Sequence, residues 1–265
     1  MNCKHFLVFL FCYFFSVAAF SQTTLITEKL DSIRWTVDRY LGFDQQLNQY
    51  AIKDNVVLKR TKNEVLVYKN LGLGKIERVD FQNPLQLVVF YKEFNTIVLL
   101  DNQLNETKRI DFNLSPTFIQ LEAMGLSVQN KLWVFDGNSN QLGLYSTTKD
   151  HTNWITVPNS NPLVTYASDY TFFYWIDSQK KLTSSTIYGK VTVLGNLPKY
   201  DTIQLIDATT AVYCIEKQLY LYDIVRGSSR KIEITENFVD NFFFKDGILA
   251  IFTQNKITNY KLILP

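Results

Sequence analysis

An all-β fold is predicted by three observations on this 265-residue sequence. From Ile33 onward, short apolar runs rich in Val, Ile, Tyr and Phe are separated by Asn, Asp, Gly, Lys and Ser, with no convincing amphipathic helix. The runs recur in groups about forty residues apart. The last group ends one strand short, while the N-terminal part offers a strand to spare.

Taken in order, the first group holds Asn48–Ile52, Val56–Leu58 and Val65–Tyr68. The second holds Ile76–Phe81, Leu85–Phe90, Thr96–Leu100 and Lys108–Phe112, and the third Thr117–Leu121, Lys131–Phe135, Gln141–Tyr145 and Trp154–Val157. The fourth has Thr171–Trp175, Lys181–Tyr188 and Lys190–Leu194; the fifth has Thr202–Ile206, Thr210–Ile215, Gln218–Tyr222 and Lys231–Ile234. The sixth has Gly247–Phe252 and Lys256–Leu264, which, with an extra strand in front as in the other groups, make three strands before Pro265. Anchored on Tyr50, Val88, Trp133, Phe173, Tyr213 and Leu249, the intervals are 38, 45, 40, 40 and 36 residues. A four-stranded antiparallel meander of that length is one blade of a β-propeller, so six blades account for the chain. Thr24–Leu30 is the spare strand, placed to complete the sixth blade and close the ring.

Composition narrows the function classes. Apolar residues make 46% of the chain, charged residues 20%, and the net charge is +2, which gives no electrostatic case for nucleic acid or an anionic membrane. Two histidines exclude most His-ligated metal chemistry. Lys4 and His5 precede an uncharged run, Phe6–Phe20, followed by the small-residue site Ala19-Phe20-Ser21; residues 1–21 read as a signal peptide and 22–265 as a single domain with no membrane span. Cys12 sits inside the apolar core, behind Phe9-Leu10-Phe11, so no lipid anchor is expected. Cleavage leaves Cys214 alone in the run Ala211–Ile215, a buried small hydrophobe with no disulfide partner.

Lys131–Asp136 and Gln218–Asp223 resemble degenerate WD40, YVTN or quinoprotein-like propeller blades, without the repeated Trp-Asp or Gly-His pairs of true WD40. Asn83–Asn105, centred on Phe90–Thr96, is similar to small exported propeller proteins of Bacteroidota, and the Ser21-Gln22 ending of the leader resembles export signals common in Bacteroidota. That resemblance implies fold and export. It also implies candidate O-glycosylation at Ser32 and Thr202, where Asp31-Ser32-Ile33 and Asp201-Thr202-Ile203 match a short Asp-Ser/Thr-apolar pattern.

No catalytic residue, metal ligand or cofactor is expected from the motifs. Asp101, Asp136, Asp177 and Asp223 stand at strand ends, where a carboxylate caps the local turn. Asp136–Asn140 lacks the full calcium-loop spacing, Asn70–Lys75 lacks the glycines and helix of a phosphate loop, and no Gly-x-Ser-x-Gly occurs. Binding candidates are the loop residues Lys92, Phe94, Asn159, Lys199, Tyr200 and Phe238, expected on one rim. These features lead to a non-enzymatic propeller that binds a protein partner in the periplasm or at the outer membrane, in assembly or secretion machinery. The alternative is an enzyme or carbohydrate-binding propeller using the central channel, for which Glu77, Asp80 and Glu122 would have to converge.

Overall fold

A computed structural model describes residues 24–262. The signal-peptide expectation therefore lies outside the described residues. Strand β1 (Thr27–Arg34) comes first and is followed by a blade of β2 (Arg39–Phe43), β3 (Gln49–Lys53), β4 (Val56–Arg60) and β5 (Val65–Tyr68). The second blade has β6 (Arg78–Asp80), β7 (Gln86–Tyr91), β8 (Thr96–Asp101) and β9 (Glu106–Asp111); the third has β10 (Leu121–Leu126), β11 (Lys131–Asp136), β12 (Gln141–Ser146) and β13 (His151–Trp154). The fourth has β14 (Leu163–Ser168), β15 (Phe172–Asp177), β16 (Lys181–Thr186) and β17 (Val191–Asn196), and the fifth β18 (Thr202–Leu205), β19 (Thr210–Ile215), β20 (Gln218–Asp223) and β21 (Ser228–Ile232). In the sixth, β22 (Asn241–Lys245), β23 (Ile248–Thr253) and β24 (Lys256–Leu262) are completed by β1, giving a six-bladed propeller of antiparallel four-stranded sheets.

The closing strand is where the surplus at one end and the deficit at the other placed it, shifted a few residues along. Thr27 lies opposite Leu262 and Arg34 opposite Lys256. Ahead of β1, Leu25 bridges β21 in parallel: its N–H donates to the Lys231 carbonyl at 2.8 Å and its carbonyl accepts from Glu233 N–H at 2.9 Å. The inner strand of the third blade differs more. It was expected at Thr117–Leu121 and runs from Leu121 to Leu126. The reason is Asn95, whose buried amide donates to the Ile119 carbonyl at 2.6 Å and accepts from Leu121 N–H at 2.8 Å, holding the preceding segment as a connection.

Turns follow backbone chemistry. Asp54-Asn55, Glu216-Lys217 and Asp246-Gly247 place both central residues at positive φ, as tight hairpins of right-twisted strands require. Asp177 accepts from Gln179 N–H at 2.9 Å and Lys181 N–H at 3.0 Å, and Asp101 likewise from Gln103 and Asn105. The strand-end aspartates are turn caps.

Packing is between blades. Trp133, Phe135, Leu142 and Leu144 of the third blade bury against Phe173 and Trp175 of the fourth, while Val212, Cys214 and Leu221 of the fifth bury against Phe242, Leu249 and Ile251 of the sixth. Inner strands are also stitched by polar side chains that reach the open edge of a neighbour. Arg39 donates to the Ile76 and Glu77 carbonyls, Asp80 accepts from Leu126 N–H at 2.7 Å, and Asn241 donates to the Tyr40 carbonyl at 2.6 Å. The Gln204 amide does both at once, donating to the Phe244 carbonyl at 2.8 Å and accepting from its N–H at 2.7 Å. Each such bond satisfies a main-chain group that a four-stranded blade would leave bare in the channel.

The connection into the sixth blade is fastened by an ionised cluster. The Glu236 carboxylate accepts from the Tyr260 phenol and faces the Lys256 ammonium at 3.6 Å. Burial alone would raise its pKa; hydrogen bonds to the carboxylate, that from Tyr260 foremost, outweigh burial with a smaller contribution from the Lys256 charge and hold it below the usual carboxylate range. A carboxylate depressed in the folded state stabilises above its unfolded pKa, about 4.3, and that stabilisation is lost as pH falls through the lower folded value. The melting-temperature gap between the wild type and Glu236→Gln is therefore expected to be widest above about pH 5 and to close as the solution is acidified below that. A gap independent of pH between 6 and 3 would refute this assignment.

Candidate functional site

Every inner strand runs from the face bearing the blade-to-blade connections, here called the upper face, to the lower face. The turns joining second to third strands lie on the upper face as well. Lys92, Phe94, Asn159, Lys199, Tyr200 and Phe238 all belong to upper-face segments, but they do not form one cluster.

Lys92 and Phe94 belong with residues that the sequence did not single out. The Phe94 ring covers Gly74, where a Cβ would come within 2.9 Å of it, and the glycine's φ of +71° suits this tight approach. The Phe94 carbonyl accepts from the Asn113 amide at 3.0 Å, and Phe112 N–H donates to the Asn95 carbonyl at 3.1 Å. These bonds tie the β7–β8 turn to the connection leaving the second blade, and the Phe94 ring over Gly74 adds the connection leaving the first. Leu71, Phe94, Leu114 and Phe118, at 45% to 81% exposure, stand on them. Solvent-facing large apolar side chains concentrated on one surface mark an interaction site more often than scattered ones do.

The apolar patch continues outward. Leu114 and Pro116 edge a cleft of about 230 Å³ between the second and third blades, floored by Ile110, Phe112 and Tyr145. Its polar groups are occupied with one another: Lys108 donates to Asp150 and the Thr147 carbonyl at 2.6 Å each, and Tyr145 donates to Asp150 at 2.8 Å. The hydrogen bonds from Lys108 and Tyr145 hold the Asp150 carboxyl below its usual range. Leu114 and Phe118 were missed because an apolar residue in the Ser-Pro-Thr connection gives no local sign of whether it will be covered.

The other expected residues are dispersed. Asn159 fastens the third-blade turn: its N–H donates to the Ser139 carbonyl at 3.3 Å and its carbonyl accepts from the Asn140 amide at 3.0 Å. Tyr200 is half-buried against the core of the fourth and fifth blades, and burial pushes its phenol pKa up. Lys199 is exposed, and the Lys217 ammonium sits 4.8 Å from the centre of the exposed Phe238 ring. Ser32 and Thr202 are both exposed, on β1 and at the start of β18.

The channel carboxylates are kept apart. Glu77 and Glu122 lie towards the upper end, where Glu122 is ion-paired with Lys92; Asp80 ends its strand at the lower side, bonded to the Gln82 and Leu126 N–H groups. Midway, the Arg78 guanidinium stacks 4.1 Å from the centre of the Tyr166 ring and donates to the Tyr166 carbonyl at 3.1 Å, joining the second blade to the fourth. Further along, Phe243 meets Phe43 at 5.3 Å and Phe81 at 5.9 Å between ring centres. Gly42 must be glycine here, since a Cβ would lie 2.6 Å from the Phe243 ring and φ is +135°. Cys214 is buried, which raises its thiol pKa, and among the described residues no three of His, Cys, Asp or Glu gather as a metal site would require. Also among the described residues, no helix is long and apolar enough to cross a membrane.

No protein-family model and no curated protein matches the sequence. Solved structures do match in fold. Virginiamycin B lyase from Staphylococcus aureus is 12% identical with a TM-score of 0.57, over 84% of this chain and 80% of that one. A member of the DUF4221 family from Bacteroides vulgatus is 9% identical with a TM-score of 0.54, over 92% and 99%. BamB from Moraxella catarrhalis is 10% identical with a TM-score of 0.50, over 89% and 99%. The class is thus a six-bladed propeller, with a Bacteroides propeller among its structural neighbours. One expectation is overturned. The lack of a catalytic motif pointed to a non-enzymatic protein, but a lyase is built on this fold, so the fold is one that carries catalysis and the missing motif does not exclude it.

Proposed function

We propose that this chain is an exported propeller of Bacteroidota type that binds an envelope protein through its upper face, as part of outer-membrane assembly or secretion machinery. The observation that carries the reading is the patch of Leu71, Phe94, Leu114 and Phe118, presented on a rigid ring and continued into the adjoining cleft. Interfaces draw their affinity from a few large apolar and aromatic anchors surrounded by a polar rim. Lys92, Lys75 and Glu93 stand beside the anchors in the sequence and supply that rim. The leader at residues 1–21 and the fold likeness to the Bacteroides propeller support an envelope location. Ser32 and Thr202, both exposed, are the glycan positions this reading carries with it.

The test is co-purification from envelope fractions with the triple variant Phe94→Ser, Leu114→Ser, Phe118→Ser. The wild type is expected to retain a stoichiometric envelope protein, and the variant to lose at least about tenfold of it. Because these side chains are exposed, the melting temperature is expected to change little. Equal retention by both proteins, or no retained partner in the wild type, would overturn the assignment.

A further inference from the structure

A second surface lies at the circumference of the fourth blade. Each blade ends in an outer strand with one unpaired edge, and natural proteins protect such edges with charge, shortness or cover. Five of the six edges here are protected. The strand β9 carries Glu106, Lys108, Arg109 and Asp111, and β1 carries Glu28, Lys29 and Asp31. The β21 edge is bridged by Leu25 and β13 has four residues with an exposed histidine; β5 also exposes two valines, Val65 and Val67, but it is only four residues long and is bracketed by charges of both signs, Glu64 and Lys69.

The sixth edge is different. Strand β17 has six residues, Val-Thr-Val-Leu-Gly-Asn, with no charge and no proline, and its one irregularity is a bulge at Leu194, beyond the two valines. Val191 and Val193 lie opposite Ser185 and Thr183 of β16, on the same face of the sheet, and both are exposed. Tyr188, in the turn leading into the strand, is 88% exposed. Among the described residues no strand pairs with this edge, and a neighbouring blade engages only its last residue, whose carbonyl accepts from the Tyr222 phenol at 3.1 Å.

Charge along the segment that carries the edge has one sign up to Asp201, whose carboxylate accepts from the Glu216 N–H at 2.9 Å. Between residues 178 and 200 stand Lys180, Lys181, Lys190 and Lys199, with no Asp or Glu. None of the four lysines makes an ion pair among the described residues. The nearest acidic residues in the chain before them are consumed locally. Asp169 accepts from the Thr171 and Phe172 N–H groups at 2.7 Å each, and Asp177 caps its own turn and accepts from the Asn161 amide at 3.1 Å. Lys190 precedes the strand, and Lys181 lies opposite its last residue, Asn196, so the edge has ammonium groups at both ends.

The geometry points to strand addition. We infer that β17 takes up an extended segment of a partner protein, apolar at alternate positions and flanked by carboxylates, as a fifth strand of the fourth blade. Main-chain hydrogen bonds supply the pairing, the row of Val191 and Val193 supplies side-chain complementarity, and the lysines select an acidic sequence. A second copy of this chain is disfavoured as occupant, since antiparallel pairing of two such edges would bring the lysine-flanked ends of one strand against those of the other. This surface is separate from the upper-face patch and does not depend on it.

The experiment uses the whole mature protein and a soluble fluorescent peptide of about ten residues, alternating threonine and valine between paired glutamates. Its binding is read by anisotropy at low salt, and hydrogen exchange locates it. The peptide is expected to bind, to protect amides of residues 191–196, and to bind at least about tenfold more tightly than the same peptide flanked by lysines. Val191→Lys with Val193→Lys should abolish binding, and Lys180→Glu with Lys181→Glu and Lys190→Glu should reverse the peptide preference. Circular dichroism melting checks that both variants fold. The inference is overturned if neither peptide binds, if both bind equally, if protection falls on the upper face, or if sedimentation shows a dimer that the Val191→Lys, Val193→Lys variant loses.

Discussion

Replacing Trp133 with alanine is expected to lower stability by about 4 kcal/mol, among the largest losses a single core substitution produces. Trp133 is fully buried at the junction of the third and fourth blades, with its ring 5.9 Å from that of Phe173. Its indole N–H also donates to the Asp169 carbonyl at 2.8 Å, in the lower turn of the next blade. Truncation therefore leaves a large cavity and a carbonyl without its donor. For a domain of this size each kcal/mol moves the melting temperature by roughly 2–4 °C, so a fall of about 8–16 °C is expected in calorimetry. Trp133→Phe separates the two contributions, keeping most of the volume while losing the hydrogen bond, and should cost about 1–2 kcal/mol. If the alanine variant loses less than about 1.5 kcal/mol, the inter-blade contact is not what holds these blades together.

Removing residues 24–34 is expected to act on the whole ring. Strand β1 is bound almost entirely through its main chain: it pairs with β24 from Thr27 to Arg34, while its side chains are mostly exposed. At about 0.5–1.5 kcal/mol net per hydrogen bond, the ladder contributes several kcal/mol. The deletion also removes the Leu25 bridge to the fifth blade and leaves β24 as a bare edge. A lower and broader unfolding transition with concentration-dependent association is expected, measured by scattering alongside calorimetry. A synthetic peptide of residues 24–34 should restore the transition when added in excess, because the site it fills is already shaped. A truncated protein that melts as sharply and as high as the intact one would show that closure is not made by β1.

These two effects differ in how they could be foreseen. The closing strand was legible because blade geometry is periodic and the missing strand is a simple deficit in that period. Trp133 was legible as a member of an apolar strand, but its partner carbonyl at Asp169 was not, since the two meet only when neighbouring blades pack. The same limit displaced the inner strand of the third blade. Thr117–Leu121 has good strand composition, yet the Asn95 amide captures its main chain from 26 residues away in sequence. Turn-capping aspartates were read correctly because their acceptors bond to N–H groups a few residues along the same chain.

The functional surfaces divide in the same way. The expected rim residues fell on the upper-face segments, since strand count alone decides which loops share a face. Their separate fates were not available: Phe94 stands exposed on the same face as Leu71, Leu114 and Phe118, whereas Tyr200 turns into the core and Asn159 fastens a turn. Nor could the sequence show that Glu122 is ion-paired with Lys92 or that Arg78 reaches Tyr166 across the channel, 88 residues away. By itself the sequence determined the blade, the number of blades, the closure and the turns, because each rests on hydrogen bonds and apolar alternation within about forty residues. Only the tertiary structure decided the apolar patch, the stitched channel and the unguarded edge of β17, because exposure is set by what other blades cover.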